Sequence, residues 1–254
     1  MTDAIVLAGG ASEPGLSSDL PNKGFLQISG RSLVGYVVQA VREARGVGRV
    51  AVVGPPGPLR AVLPRDLTVV PDNGSIMENV TRAVQELGAS ALTLVAASDI
   101  PLLTGAVVDE FLTACARTPA DFYYAVVPKD AMERQFPTAQ KTYVTLTDGT
   151  FCGGSLMLFN PKVIDRVRPF VERVLAARKK PWLLAQLFGW AIVLRFASGR
   201  LSIAEMVARA TEVVGIDVMP VILPRPELAL DVDVGKPENL ALIRAALQGA
   251  RPHA

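Results

Sequence analysis

A continuous apolar strand followed at once by two glycines constrains the fold of this chain more than any other feature. Residues Ala4 to Ala8 read AIVLA, and such an unbroken run is typical of a strand buried on both faces of a parallel sheet. Gly9 and Gly10 end the strand, and a glycine turn lets the backbone approach a ligand and point N–H groups at an anion. Lys23 is the only cation in the first 23 residues, so the sequence predicts an anion site formed by this turn and Lys23.

Composition and charge argue against several classes of function. Of the 254 residues, 50% are hydrophobic and 20% are charged, which is ordinary for a folded α/β protein. The formal net charge is +2 and the basic residues are scattered, so we expect no nucleic acid partner. The single histidine, His253, lies one residue from the end, which argues against histidine-based catalysis. Cys115 and Cys152 form no metal-binding motif, and without a signal sequence or a membrane-spanning run we expect a cytoplasmic protein.

Strands and helices alternate along the first half of the chain. Apolar runs predict further strands at 49–54, 67–70 and 91–97, and apolar spacing predicts helices at about 32–44 and 76–87. Residues Pro55 to Pro58 are interpreted as a rigid loop. Because this order requires right-handed crossovers, we expect a mainly parallel sheet.

A second polar motif follows the strand at 91–97, which delivers Ser98 and Asp99 at its carboxyl end. The carboxyl ends of parallel strands meet at one edge of the sheet, so we expect Asp99 beside the glycine turn. A carboxylate next to a phosphate is repelled unless a cation lies between them, which predicts that Asp99 binds Mg²⁺. The alternative role is a cap for the next helix, although Thr104 can supply that cap.

The opening segment, LAGG through PNKGFLQISGRSLVGYVVQAV, resembles that of the sugar-phosphate and cofactor nucleotidyltransferases. It is most similar to the MobA-like NTP transferases, the group of molybdenum-cofactor guanylyltransferase. The resemblance implies an α/β three-layer sandwich with a mainly parallel twisted sheet, of the GT-A-like, nucleotide-diphospho-sugar transferase type, plus a helical insertion. It also implies that Mg²⁺ (or Mn²⁺) assists transfer of a nucleoside monophosphate from a nucleoside triphosphate to a phosphorylated small-molecule acceptor, with release of pyrophosphate.

On this resemblance the chain is one nucleotidyltransferase domain with four parts. Residues 1–120 form the nucleotide-binding half and residues 121–160 an acceptor-side extension of the sheet. Residues 161–212 form the helical insertion, and residues 213–250 supply a closing strand and helix.

The resemblance assigns Lys23 and Asp99 as catalytic residues, with Lys23 neutralising phosphate charge and Asp99 binding the metal. Ser75 is also a natural helix cap, so contact with the nucleobase is one of two interpretations of its position. The predicted nucleotide contacts share the loops after the strands: Leu7, Ala8, Gly9, Gly10, Lys23, Gly74, Ser75, Asn79 and Ser98.

The stretch LALDVDVGKPEN, which begins at Leu228, resembles the closing motif of these enzymes and would give the second metal-binding aspartate. One alignment selects Asp233 and the other selects Asp231. Alternation along a strand would place both carboxylates on one face, toward Asp99. The alternative is that one of them caps the last helix.

A predicted hairpin of residues 142–146 and 150–159 carries two adjacent glycines within its second strand. Glycine inside a strand indicates a bulge or a close backbone approach. In the enzymes that the chain resembles, this region lines the acceptor pocket. The resulting acceptor candidates are Gly153, Gly154, Ser155, Arg134 and Lys141.

The chain departs from the family pattern in the loop of residues 11–22, which contains no arginine. Either Arg31 or the loop serines Ser12, Ser17 and Ser18 replace this arginine, or the chain binds triphosphate weakly. Two other functions stay open, a glycosyltransferase that uses a nucleotide-sugar donor and a nucleotide-binding module without catalysis.

Residues 161–211 have a helical pattern with predicted breaks near Pro169, Pro181, Gly189 and Gly199. The apolar run from Trp182 to Leu194 is flanked by basic residues. It is expected to pack on the sheet, with a partner subunit in a homodimer or peripheral membrane contact through residues 179–200 as the alternatives.

Overall fold

The structure is a computed structural model that describes residues 1–13, 15–177 and 187–249. Its strands are β1 (Thr2–Leu7), β2 (Gln27–Ile28), β3 (Arg31–Ser32), β4 (Val47–Val53), β5 (Thr68–Val70), β6 (Thr93–Ala97), β7 (Phe122–Pro128), β8 (Val144–Leu146), β9 (Gly149–Phe159) and β10 (Val218–Ile222). Its helices are α1 (Leu33–Glu43), α2 (Pro56–Val62), α3 (Ile76–Leu87), α4 (Gly105–Cys115), α5 (Lys129–Gln135), α6 (Ile164–Ala177), α7 (Trp190–Ala197), α8 (Ile203–Val214) and α9 (Pro237–Gly249).

The main sheet is mostly parallel, as the sequence predicts. Its strand order is β10-β7-β9-β6-β1-β4-β5, and β8 pairs with β9 beside this path. Strands β4 and β6 flank β1 in parallel, β5 runs parallel to β4, and β10 runs parallel to β7. Strand β9 runs antiparallel to β6, β7 and β8, which confirms the predicted hairpin with β8.

Strand β1 lies in the middle of the sheet and is buried on both faces. Ala4 and Val6 pack in the core that α1 and α4 cover, whereas Ile5 packs in the core that α3 and α6 cover. Residues 4–8 are all apolar because a layer of helices covers each face of this strand. This arrangement confirms the three-layer sandwich.

The first helices agree with their sequence patterns except at the proline-rich loop. The capping serine Ser32 precedes α1, and Ser75 precedes α3. The rigid loop expected at Pro55 to Pro58 is wrong, because α2 begins at Pro56. Proline suits the first helical position, where its missing N–H has no partner in any case.

The helical insertion has the predicted breaks at Gly189, which precedes α7, and at Gly199, which follows it, but not the break at Pro169. Pro169 lies inside α6, since buried side chains on both sides of it, such as Val167 and Phe170, hold the helix against the core. Helix α8 continues to Val214, beyond the expected boundary at 212. The predictions for Trp182, for Pro181 and for the lysines of this segment fall on residues 178–186, outside the described residues.

The described part of the apolar run that was expected to pack on the sheet is partly exposed to solvent. Trp190 and Leu194 on α7 are 61% and 66% exposed.

Both cysteines are free and buried, and burial raises the pKa of the Cys115 thiol to about 12. No helix within the described ranges is long and apolar enough to cross a membrane. His253 falls outside those ranges.

Candidate active site

The glycine turn at the end of β1 is closed by the side chain of Asp72. The N–H of Gly10 donates a hydrogen bond to Asp72 Oδ2 at 2.6 Å. A Cβ on Gly9 would lie 2.5 Å from the same oxygen, so glycine is required for this approach. The pKa of Asp72 lies below its ordinary value, chiefly because of the Gly10 N–H; burial opposes the shift, and Gly74 and Asn79 add to it. The turn therefore already binds an anionic oxygen.

Asn22 connects this turn to Lys23. Its buried side chain donates from Nδ2 to the carbonyl oxygens of Ala8 at 2.9 Å and Gly10 at 3.4 Å. Its Oδ1 accepts the N–H of Gly24 at 2.9 Å and caps the short 3₁₀ turn that begins at Lys23. One carboxamide thus fixes both the end of the first strand and the backbone that carries the lysine.

Lys23 and Asp99 form an ion pair beside the turn. The Lys23 Nζ lies 2.8 Å from Asp99 Oδ2 and 3.5 Å from Glu13 Oε1. Burial alone would lower the pKa of Lys23, but Asp99 and Glu13 outweigh it, so this pKa lies above its ordinary value. Burial raises the pKa of Asp99, whose side chain is 14% exposed, and Lys23 offsets only part of that effect. Lys23 is therefore a permanent positive charge at this site.

The second oxygen of Asp99 has the character expected of a cation ligand. Oδ1 is buried and accepts no hydrogen bond from the residues that the structure describes. Buried polar atoms normally have a hydrogen-bond partner, so we expect this oxygen to bind a ligand or an ion. The negative charge of Asp231 further raises the pKa of Asp99. Two neighbouring carboxylates with an unpaired oxygen fit a hard cation such as Mg²⁺ or Mn²⁺.

The prediction that Asp231 and Asp233 lie on a strand is wrong. Residues 229–236 contain no strand, and the N–H of Val232 donates to the backbone oxygen of Asp99 at 2.8 Å. The segment approaches β6, which is already flanked by β1 and β9, so no sheet edge is open for pairing. That hydrogen bond nevertheless holds the segment against Asp99, and the charge of Asp231 acts on the Asp99 carboxyl.

Each of these aspartates is paired with a lysine. Asp231 Oδ1 lies 2.6 Å from Lys141 Nζ, and Asp233 Oδ2 lies 3.0 Å from Lys236 Nζ. The hydrogen bond from Lys236 is the main reason why the pKa of Asp233 lies below its ordinary value. Across the described parts of the chain, no group of three or more His, Cys, Asp or Glu side chains is arranged to hold a metal. The protein thus offers a pair of carboxylates rather than a complete metal cage.

The loop after β5 is tied to the glycine turn through Asp72. Asn79 Nδ2 donates to Asp72 Oδ1 at 2.6 Å, and Asn79 Oδ1 accepts the N–H of Asn73 at 2.8 Å. The N–H of Gly74 donates to the same Asp72 oxygen at 2.8 Å. The Ser75 hydroxyl accepts an N–H at the start of α3. The structure therefore uses Asn79 and Ser75 to shape this loop.

Strand β9 bulges at its two glycines, as the sequence predicts. The register between β7 and β9 shifts directly after Tyr124. A Cβ on Gly154 would meet the backbone oxygen of Leu228 at 3.1 Å, and a Cβ on Gly153 would collide with the Tyr124 hydroxyl. Ser155 is half-buried within the bulge. Both predicted features therefore occur at the two glycines: the strand bulges, and other parts of the chain approach its backbone closely.

The basic side chains that were predicted to bind phosphate lie in different places in the structure. Lys141 lies in the carboxylate cluster, whereas the side chain of Arg134 is 67% exposed and pairs with Asp130 at 2.7 Å on α5. The guanidinium of Arg31 lies over the ring of Tyr36 at 5.4 Å, so it is engaged on α1. The serines that were proposed as the other replacement for the missing loop arginine are all exposed: Ser12, Ser17 and Ser18.

Comparison with known proteins decides the family. A model of the MobA-like NTP transferase domain matches residues 4–184. The chain belongs to the MobA-like NTP transferase family. Membership makes it a nucleotidyltransferase and confirms the resemblance seen in its opening motifs, which lie within the matched residues.

Solved structures resemble this NTP transferase over nearly all its length. A hypothetical transferase from Thermus thermophilus is 35% identical with a TM-score of 0.84, covering 94% of this chain and 99% of that chain. CMP:2-keto-3-deoxy-manno-octonic acid synthetase complexed with CTP has 16% identity and a TM-score of 0.60, covering 99% of this chain and 100% of that chain. The 4-diphosphocytidyl-2C-methyl-D-erythritol synthase from Anaerococcus prevotii has 12% identity and a TM-score of 0.56, covering 97% and 96%. The last two show the fold, and no curated protein matches the chain.

Two residues of this NTP transferase site escaped sequence analysis. Asp72 follows β5 as Asp99 follows β6, so the rule that selected Asp99 also selects Asp72. In the sequence PDNG around it, only Gly74 was assigned a contact with the nucleotide. Asn22 gave no signal, because its partner Ala8 lies 14 positions away and is reached through its backbone.

Proposed function

We propose that this enzyme transfers a nucleoside monophosphate from a nucleoside triphosphate to the phosphate of a small-molecule acceptor, with release of pyrophosphate. The observation that carries the proposal is the Lys23–Asp99 pair at the carboxyl ends of β1 and β6. Lys23 supplies a permanent positive charge, and Asp99 Oδ1 accepts no hydrogen bond within the described residues. Both features suit a site for charged phosphates and a cation.

The nucleotide takes the glycine turn and the loop after β5. The N–H of Gly10 bonds an anionic oxygen of Asp72, so the turn has the geometry to bind an anion, and a phosphate that binds there takes the place of this carboxylate. Gly74 and Ser75 offer their backbone and hydroxyl groups to the base. The residues assigned to the nucleotide are Leu7, Ala8, Gly9, Gly10, Lys23, Gly74, Ser75, Asn79 and Ser98.

Asp99, together with Asp231 or Asp233, would hold Mg²⁺ or Mn²⁺. Asp231 is the favoured partner because its charge acts on both Asp99 and Lys23. Magnesium sites commonly use one or two carboxylates and take the remaining ligands from substrate phosphates and water. When bound, the ion neutralises charge shared by donor and acceptor phosphates.

In the reaction, an oxygen of the acceptor phosphate attacks the α-phosphorus of the nucleotide. The new P–O bond forms in line with the bond to the departing pyrophosphate, which breaks. The attacking phosphate is already an anion, so no side chain has to remove a proton. Lys23 stabilises the developing charge, a contact of the kind whose removal costs about 3 to 4 kcal/mol.

The acceptor lies on the side of β9. Lys141, held at the carboxylate cluster, meets its phosphate, and the β9 bulge lines the pocket. Arg134 is the weakest member of this group, since it pairs with Asp130 at the surface. The proposed acceptor residues are Gly153, Gly154, Ser155, Arg134 and Lys141.

The direct test measures pyrophosphate release with Mg²⁺ from each of the four ribonucleoside triphosphates. Each is combined with sugar-1-phosphates, polyol phosphates and pterin-type phosphates. We expect one nucleotide and acceptor pair to react, and a nucleotide at a hundred times its Kd to stabilise the protein by about 2.7 kcal/mol in a thermal shift. Sugar transfer from a nucleotide sugar without pyrophosphate release would contradict the proposal. Nucleotide binding without turnover of any acceptor would contradict the catalytic step.

A further inference from the structure

Asn239, in the first turn of α9, binds both backbone groups of Gln140. Its side chain is fully buried, at 0% exposure. Oδ1 accepts the Gln140 N–H at 2.8 Å, and Nδ2 donates to the Gln140 carbonyl oxygen at 3.2 Å. A single carboxamide thus satisfies the peptide groups of a residue 99 positions away.

The segment that contains Gln140 has little structure of its own. Residues 136–143 form no helix or strand, and the N–H of Ala139 closes a turn on the carbonyl oxygen of Phe136 at 3.0 Å. The next residue after Gln140 is Lys141, whose side chain is 12% exposed and lies 2.6 Å from Asp231. The backbone directly before Lys141 is therefore held by hydrogen bonds, although the segment around it is irregular.

Helix α9 follows directly on the loop that carries the site aspartates. Asp231 precedes α9 by a few residues, and the N–H of Asn239 donates to the Lys236 carbonyl oxygen at 3.1 Å. The start of α9 thus carries the contact to Gln140, and the loop directly before the helix carries the aspartate that pairs with Lys141.

We propose that Asn239 is a positioning residue that holds Lys141 in register with the site carboxylates, so that Lys141 meets the phosphate of the acceptor. Asn239 touches no substrate and acts through the peptide of Gln140. The placement of Lys141 follows from contacts within the protein, whereas its meeting with the acceptor phosphate rests on the proposed function.

Two variants test the placement without any substrate. Asn239→Asp keeps the size and the acceptor for the Gln140 N–H but loses the donor to its carbonyl oxygen, and Asn239→Ala removes both. We expect amide exchange at Gln140 to be slow in the wild type and about tenfold faster or more in Asn239→Ala, since two hydrogen bonds are lost. Acylation of Lys141, followed by mass spectrometry, should be faster in both variants and unchanged at Lys162, which is exposed and lies outside this segment.

The controls separate positioning from general loosening. Lys141→Met should leave Gln140 exchange as slow as in the wild type, because the lysine depends on the peptide and not the reverse. If Asn239→Ala fails to fold, the same-size Asn239→Asp variant carries the test. Fast exchange of Gln140 in the wild type would overturn the proposal, as would unchanged Lys141 acylation in folded Asn239→Asp.

Inorganic phosphate probes the second half of the proposal. With Mg²⁺ and each ribonucleoside triphosphate present, we expect phosphate to protect Lys141 from acylation in the wild type and not in Asn239→Asp. Wild-type acylation that phosphate does not change would overturn the acceptor role and leave the placement by Asn239 standing. Failure of the proposed reaction itself would show separately, as absence of pyrophosphate release.

Discussion

Replacing Asn22 by alanine tests whether one buried carboxamide holds the glycine turn and Lys23 together. The change removes the donor to the Ala8 carbonyl oxygen and the acceptor of the Gly24 N–H, both of which are buried. Each buried group left unpaired costs about 1 to 3 kcal/mol, so the loss of both bonds should lower the free energy of unfolding by about 2 to 6 kcal/mol. The longer bond to exposed Gly10, at 3.4 Å, adds little.

Urea unfolding at fixed pH measures this loss. The matched control is Asn73→Ala, because Asn73 is exposed and its side chain donates to exposed Glu78 at 3.1 Å. We expect this control to change the unfolding free energy by no more than about 0.5 kcal/mol. Asn22→Asp keeps the acceptor for Gly24 and should give an intermediate loss. A loss in Asn22→Ala no larger than in Asn73→Ala would refute the reasoning.

Three further changes probe the lysine, the turn and the β9 bulge. Lys23→Ala should lower the rate of pyrophosphate release by about 10²- to 10³-fold, whereas the surface change Lys129→Ala should leave it unaltered. The pKa of folded Asp72 lies below 3.8, chiefly because of the Gly10 N–H, so its stabilisation is complete above pH 3.8 and is lost as pH falls through the folded value. The stability advantage of the wild type over Asp72→Asn in urea unfolding should therefore shrink on acidification, and an advantage that grows would contradict this. Gly153→Ala should destabilise by about 1 to 3 kcal/mol through collision with Tyr124, and Tyr124→Phe should restore part of the thermal stability; no such rescue at all would contradict the contact.

The sequence predicted the centre of the fold because continuous apolar runs depend on burial alone. Helices bury both faces of strands β1 and β6, so most of the residues of these strands are apolar. Proline was interpreted less well, since its effect depends on position: Pro56 starts α2, and Pro169 is held inside α6 by packing. Helix α5 was not predicted, because its seven residues bury Ala131 and Met132 only through tertiary contact.

Parts of the site were also beyond a reading of local pattern. The rule that parallel strands end at one edge predicted Asp99 beside the glycine turn, and the structure shows that its partner there is Lys23. Asp231 was placed on a strand that does not exist, since the topology leaves no free edge beside β6. Asn22 and Asn239 act on backbone groups 14 and 99 positions away, and a single sequence carries no periodic signal for such contacts.

Binding of Mn²⁺, followed by electron paramagnetic resonance with a nucleoside triphosphate present, tests the central claim most directly. We predict that the wild type binds the ion, that Asp99→Asn loses this binding and that Asp231→Asn weakens it. Asp130→Asn serves as the control, because Asp130 is exposed and pairs with Arg134 away from the site. Mn²⁺ binding in Asp99→Asn as tight as in the wild type would contradict the account.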